Sequence, residues 1–120
     1  MTTYAVLLPG DENAWAATPD DEKKAVYARH EEFQQAMAAR GHRMTGGAEL
    51  AHSREAKVVR SEEGDEFTIT DGPYAETTEQ LTGFYLVETD DLDDLLDVIA
   101  TTLGHGERVV EVRRCMGGEG

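Results

Sequence analysis

Among the many titratable residues of this chain, two stand at positions worth weighing for proton transfer: His30 in a long helical segment and Asp71 at a proline-bearing bend. An imidazole, with an ordinary pKa of about 6.5, exchanges protons near neutrality. A carboxylate bonded to one ring nitrogen would fix the tautomer and leave the other nitrogen as a general base or acid. Each residue also has a plainer reading. Asp71 opens the bend Asp71-Gly72-Pro73 and can simply cap it through backbone N–H groups. A histidine on the inner face of a helix can be a core residue bonded to a carbonyl or hydroxyl. Four aromatic residues are candidate walls for a small-molecule site: Trp15, Tyr74, Phe84 and Tyr85. For Trp15 the plainer reading is the usual one for a loop tryptophan, packing over a core edge.

Other chemistries lack their residues. Gly46-Gly47 and Gly117-Gly118 have neither the spacing nor the lysine of a phosphate loop, and no G-x-S-x-G elbow occurs. The histidines (His30, His42, His52, His105) form no H-x-x-x-H pair, so neither a metal site nor a cofactor is expected. Cys115 lies near the end of the chain without an adjacent base, which argues against a nucleophile. The formal charge of −14 would repel phosphate backbones, so no nucleic-acid partner is expected. No apolar run approaches the roughly 20 residues that cross a bilayer, so no membrane partner is expected. The opening MTTYAVLLPGDE has no basic leader and one cysteine cannot form an internal disulfide, so the expectation is a cytoplasmic protein.

The elements that must position these residues read as one domain over 1–120. Residues 4–8 form an apolar strand that Pro9-Gly10 stops, and a loop carries Trp15. Thr18 and Pro19 start a long helix, Thr18 as cap, which runs to Arg40 and stops at Gly41. Its inner stripe is Val26, Phe33, Ala36 and Met37, and His30 falls on that stripe. A weak strand at 44–50 is broken by Gly46-Gly47. Strands at 56–60 and 66–70 make a hairpin around the turn 62–65. Residues 77–80 read as a single helical turn. The strand at 83–87 is apolar at nearly every position, which implies burial on both faces. Thr89-Asp90-Asp91 caps a second helix whose inner face is Leu92, Leu95, Leu96, Ile99 and Leu103, with Asp93, Asp94 and Asp97 in solvent. A last strand covers 109–113, and 116–120 read as a loose tail. Two helices separated by runs of strands give an α+β ferredoxin-like sandwich with an inserted β-hairpin.

The segment Asp71-Gly-Pro-Tyr-Ala-Glu-Thr77, then Glu79-Gln-Leu, Gly83-Phe-Tyr-Leu and Val110-Glu-Val-Arg113, resembles the YCII-related family in its DGPF-motif branch. The likeness extends over nearly the whole chain, including the 12–15 loop, His30 followed by Phe33, and Gly41. It implies a ferredoxin-like fold that pairs through its sheets into a dimeric α/β barrel. It also implies an active site built from His30 and Asp71. The chain departs from the pattern at four positions: Tyr74 stands for the usual Phe, Thr78 for a Lys, Thr82 for a Gly and Arg114 for a Pro. Loss of the Lys removes one contact for an anionic substrate. The resemblance further implies a regulatory or stress setting, since genes of this branch often lie beside extracytoplasmic-function sigma factors.

These readings lead to a metal-independent enzyme of lyase, isomerase or hydrolase type, acting on an unidentified small molecule through a His–Asp pair in a cleft. The alternative is a non-catalytic binding or regulatory module, linked to such a sigma factor. The doubly apolar strand predicts a homodimer in solution, which light scattering checks; a stable monomeric mass would contradict it.

Overall fold

The computed structural model describes residues 1–117, so 118–120 of the expected tail lie outside the described residues. Strand β1 (Thr2–Asp11) leads into a short helix α1 (Glu12–Ala16) and the long helix α2 (Asp20–Ala39). Strand β2 (Arg43–Glu49) follows, then a 3-10 turn (Ser53–Glu55) and the hairpin strands β3 (Lys57–Ser61) and β4 (Phe67–Asp71). Strand β5 (Glu79–Thr89), helix α3 (Leu92–Thr101), a second 3-10 turn (Leu103–His105) and strand β6 (Glu111–Arg114) complete the chain.

The main sheet has the order β2-β5-β1-β6 with antiparallel neighbours throughout. This is an α+β arrangement compatible with a ferredoxin-like fold, and the hairpin β3–β4 forms its own two-stranded sheet. The four-stranded sheet is open, with β2 and β6 at its edges. Strand alternation sends Val6, Leu8 and Val87 to one face, where they meet Phe33 and Met37 of α2 and Leu95, Val98 and Ile99 of α3. Leu103 closes this core. Leu96 is exposed; Val98 takes the buried place that the sequence reading gave to it.

Alternation also sends Ala5, Leu7, Phe84 and Leu86 to the face away from the helices, where Leu7 pairs with Phe84 and Ala5 with Leu86. The chain measures 17 Å along its shortest axis, room for one helix layer on one sheet. That second apolar face therefore has no covering layer within the chain. Val59, Phe67 and Ile69 are also exposed; Val59 pairs with Ile69 and Ser61 with Phe67, so they share one face of the hairpin.

Local details depart from the sequence reading. Pro9-Gly10 does not stop β1, which runs on to Asp11 with Pro9 opposite Leu81 and Gly10 opposite Gln80. Pro9 lies beyond the last rung to β6 at Leu7 and beside a register shift, where a proline is tolerated. Residues 12–16 are helical because the Asp11 carboxylate accepts from the N–H groups of Asn13 and Ala14, capping the turn. Thr18 does not cap α2; its hydroxyl donates to the Ala14 carbonyl at 2.7 Å and closes α1 instead. Residues 77–80 form no helical turn. Gln80 donates its amide to the Ala75 and Thr77 carbonyls and holds a bend before β5.

The end of α2 explains why the helices stay registered. Gly41 takes φ +85°, and the His42 N–H reaches back to the Met37 carbonyl at 2.9 Å, closing a Schellman turn. This turn buries His42, whose ring bonds the Thr89 hydroxyl and Asp94, each at 2.7 Å. Arg40 bonds Asp94 as well and reaches Asp97 at 3.2 Å. Asp94 and Asp97 are thus partners of the first long helix, a correction to their reading as a solvated face. The Arg40 guanidinium, helped by His42, holds the Asp94 carboxyl below its ordinary range. Asp94→Ala should therefore lower the urea midpoint clearly more than Asp93→Ala, because both lose the helix-dipole term but only the first strips partners from Arg40 and buried His42. Equal shifts would overturn the assignment.

Candidate functional site

Between α2 and the sheet lies a cavity of about 1140 Å³, bordered by α1, α2, β2, β5 and the segment after the second 3-10 turn. Its size suits a small organic molecule, since ligand pockets run to about 1,000 Å³. His30 sits in its wall with its side chain 16% exposed. Helical spacing aims this residue inward: Phe33, one turn on, is fully buried in the core.

Both ring nitrogens of His30 are engaged. Nδ1 lies 2.8 Å from the Tyr85 hydroxyl, and Nε2 lies 2.8 Å from Oε1 of Glu107. Tyr85 comes from β5 and is held by Phe33, whose ring centre is 5.1 Å away. Glu107 follows the second 3-10 turn, and its N–H bonds the Leu103 carbonyl at 2.7 Å. Burial pushes the Tyr85 phenol above its ordinary value and the Glu107 charge adds to this, while the Gln34 amide opposes it.

The outer wall is aromatic and acidic. Trp15 of α1 meets Tyr27 of α2 edge-on, with centroids 5.7 Å apart and planes at 89°, and Lys23 lies over the indole at 5.3 Å. The Tyr27 hydroxyl lies 3.1 Å from both carboxylate oxygens of Glu49 on β2. Glu49 and Tyr27 both border the cavity.

The structure does not bring Asp71 to His30 within the chain. Asp71 is exposed at the end of β4 and pairs with Lys57. The Lys57 ammonium lowers its carboxyl pKa, but so exposed a pair contributes little to stability. Asp71 borders a second, shallower hollow, which shares Glu12, His52, Arg54 and Thr78 with the large cavity. Trp15 and Tyr85 line the large cavity as aromatic walls. Phe84 borders it through β5, yet alternation puts its ring on the opposite face from Tyr85. Tyr74 is 81% exposed, lies outside the cavity lining, and has the Arg60 guanidinium 5.7 Å from its ring centre.

Sequence reasoning missed Tyr27, Glu49 and Glu107. Tyr27 was within reach, because it lies three residues before His30 and so shares its side of the helix. Glu107 carried no local signal, being 77 positions from the ring it bonds. Among the described residues, no three His, Cys, Asp or Glu side chains converge to hold a metal ion. No helix among them is long and apolar enough to cross a membrane.

Where the two hollows join, Glu12 fastens the hairpin root to α1. Its buried carboxylate accepts from the Ser53 N–H at 2.8 Å and from the Ser53 hydroxyl, with His52 at 3.5 Å. Burial alone would raise the Glu12 pKa; the Ser53 bonds, with His52 and Arg54, outweigh it and leave the value lowered. A carboxyl lowered on folding stabilises the fold above its ordinary pKa of 4.5, and that contribution is lost as pH falls through the lowered value. Glu12→Gln should accordingly lower the urea midpoint at pH 7 and flatten its decline below pH 4.5. Parallel curves for the two proteins would refute this role.

Comparison with known proteins gives the chain a family. The YCII-related domain matches residues 2–114. The chain is also 36% identical over 94 residues to an uncharacterized protein of Rhizobium meliloti, covering 78% of this chain and 74% of that one. With a match that runs from the first residues of β1 to the end of β6, the chain belongs to the YCII-related family.

Proposed function

We propose that this protein is an acid–base enzyme for a small molecule, with His30 at its centre. The observation that carries the reading is a half-buried imidazole, hydrogen-bonded on both sides, in the wall of a cavity large enough for a guest. A carboxylate, an imidazole and a phenol in one chain suffice for proton abstraction, isomerisation, elimination or hydrolysis. In this proposal Trp15 and Tyr27 give the guest an apolar wall. Asp71 has a separate part, as a carboxylate facing the far end of the joined hollows rather than as the orienting partner of His30.

A second copy of the chain belongs to the same proposal. The uncovered face with Leu7, Phe84 and Leu86 is the kind of surface that a monomer rarely leaves in water. Pairing two such faces would close the open sheets into a barrel.

A metabolite screen by thermal shift supplies candidate ligands, since a molecule that binds only the folded chain raises its melting temperature. Each hit is then incubated with the protein in D₂O and followed by NMR. The expected result is exchange or conversion at a carbon-bound proton by the wild type. His30→Gln should slow this by about 10²–10⁴-fold while the hit still raises the melting temperature. Binding without any turnover by the wild type, and loss of the ligand with His30, would make the protein a binding module instead.

A further inference from the structure

We infer that protons enter and leave this cavity through the Tyr85 oxygen, with His30 behind it as the base and Glu107 as the positioning residue that fixes the ring. The inference rests on the enzymatic reading above and assigns the group that touches the substrate. It follows from a count of donors. An ionised carboxylate can only accept a hydrogen bond, so the contact of 2.8 Å between Glu107 and Nε2 requires the ring proton to sit on Nε2. A neutral imidazole then has only a lone pair at Nδ1. The contact of 2.8 Å there must be filled by the Tyr85 O–H as donor. Neither ring nitrogen is left for a guest. Tyr85 is among the residues that line the cavity, and its phenolic oxygen still has acceptor capacity, shared with the neighbouring Gln34 amide.

The backbone across the sheet makes room for this ring. Gly47 on β2 pairs with Tyr85 and takes φ +148°. A Cβ at that position would meet the Phe84 carbonyl at 2.6 Å and the Tyr85 ring at 3.1 Å. The Gly46-Gly47 pair, which weakens β2 as a strand, thus leaves space for the tyrosine that the relay needs.

The step balances without an outside reagent. As the guest's C–H bond breaks, its proton passes to the Tyr85 oxygen and the electron pair stays on the guest. The phenolic proton moves to Nδ1, leaving an imidazolium beside the Glu107 carboxylate. The reverse transfers return a proton to the guest, at the same or another atom, and restore the starting state. Phenolate need not accumulate, which suits a phenol whose ionisation burial disfavours.

Two measurements test this without any substrate. In protein labelled with ¹⁵N-histidine, long-range ¹⁵N–¹H correlation at pH 7.5 should place the proton of the neutral His30 ring on Nε2. Glu107→Gln, whose amide can donate as well as accept, should erode that preference. A proton on Nδ1, a doubly protonated ring, or no change in Glu107→Gln would overturn the assignment. The second probe is diethyl pyrocarbonate, which acylates free imidazole nitrogen, read residue by residue by mass spectrometry. His30 should react at least tenfold more slowly than exposed His105, and Tyr85→Phe should raise its rate at least tenfold by freeing Nδ1. Equal rates for His30 and His105 in the wild type, or no rise in Tyr85→Phe, would mean that the imidazole meets the guest directly. Because neither readout involves turnover, failure here leaves the D₂O experiment standing, and failure there leaves these results intact.

Discussion

The rest of the molecule depends on the register of β5. This strand is bonded on both sides, to β1 and β2, and both of its faces carry apolar side chains. Tyr85 and Val87 go inward, Phe84 and Leu86 outward. A slip of one residue would exchange the two sets and bury Phe84 where the phenol now meets His30. Two register shifts belong to the same fixed pairing: Thr82 of β5 is the extra residue opposite Leu8/Pro9, and Thr45 of β2 is the extra residue opposite Leu86/Val87. The site is thus a property of sheet geometry first and of side-chain chemistry second.

Two histidines illustrate how one residue type serves different ends. His42 follows the Schellman turn at Gly41 and is buried; its ring joins the end of α2 to β5 through Thr89 and to α3 through Asp94. His30 sits mid-helix beside open space, and its partners hold it in the cavity wall. Both are satisfied on both nitrogens. The surroundings separate them: one is sealed by packing, the other borders a volume that a guest can fill.

Much of the fold was legible from spacing alone. Apart from α1, which was read as a loop, the order of strands and helices, the inserted hairpin, the Gly41 stop and the inward turn of His30 all follow from periodicity and turn residues. The apolar run at β5 was read as burial on both faces; within the chain one side packs on the helices, and Phe84 and Leu86 on the other side are half-buried. What was not legible depends on distant pairing. The Asp71 carboxylate looked available to His30 because nothing in the sequence ties it to Lys57, its cross-strand partner. Glu107 looked like any residue after a helix stop. Asp94 and Asp97 looked solvated because an acidic helix face normally is, and only the arrival of Arg40 from the other helix changes that. Val98 displaced Leu96 inward because the helix rotates to suit the sheet beneath it, not the longest apolar side chains.

The hairpin has a consequence for how this chain can change its length. Strands β2 and β5 are hydrogen-bonded antiparallel neighbours, so everything from Leu50 to Thr78 is, topologically, one long connection between adjacent strands. The arm's own strands pair only with each other among the sheet strands, and Glu12 and Ser53 pin its root. Residues can be added or trimmed at its tip, around Gly64, without moving any rung of the four-stranded ladder, and each doubling of such a loop costs only about 0.6 kcal/mol in closure entropy. The reach of the arm is therefore a dimension that natural variation can adjust independently of the cavity wall around His30.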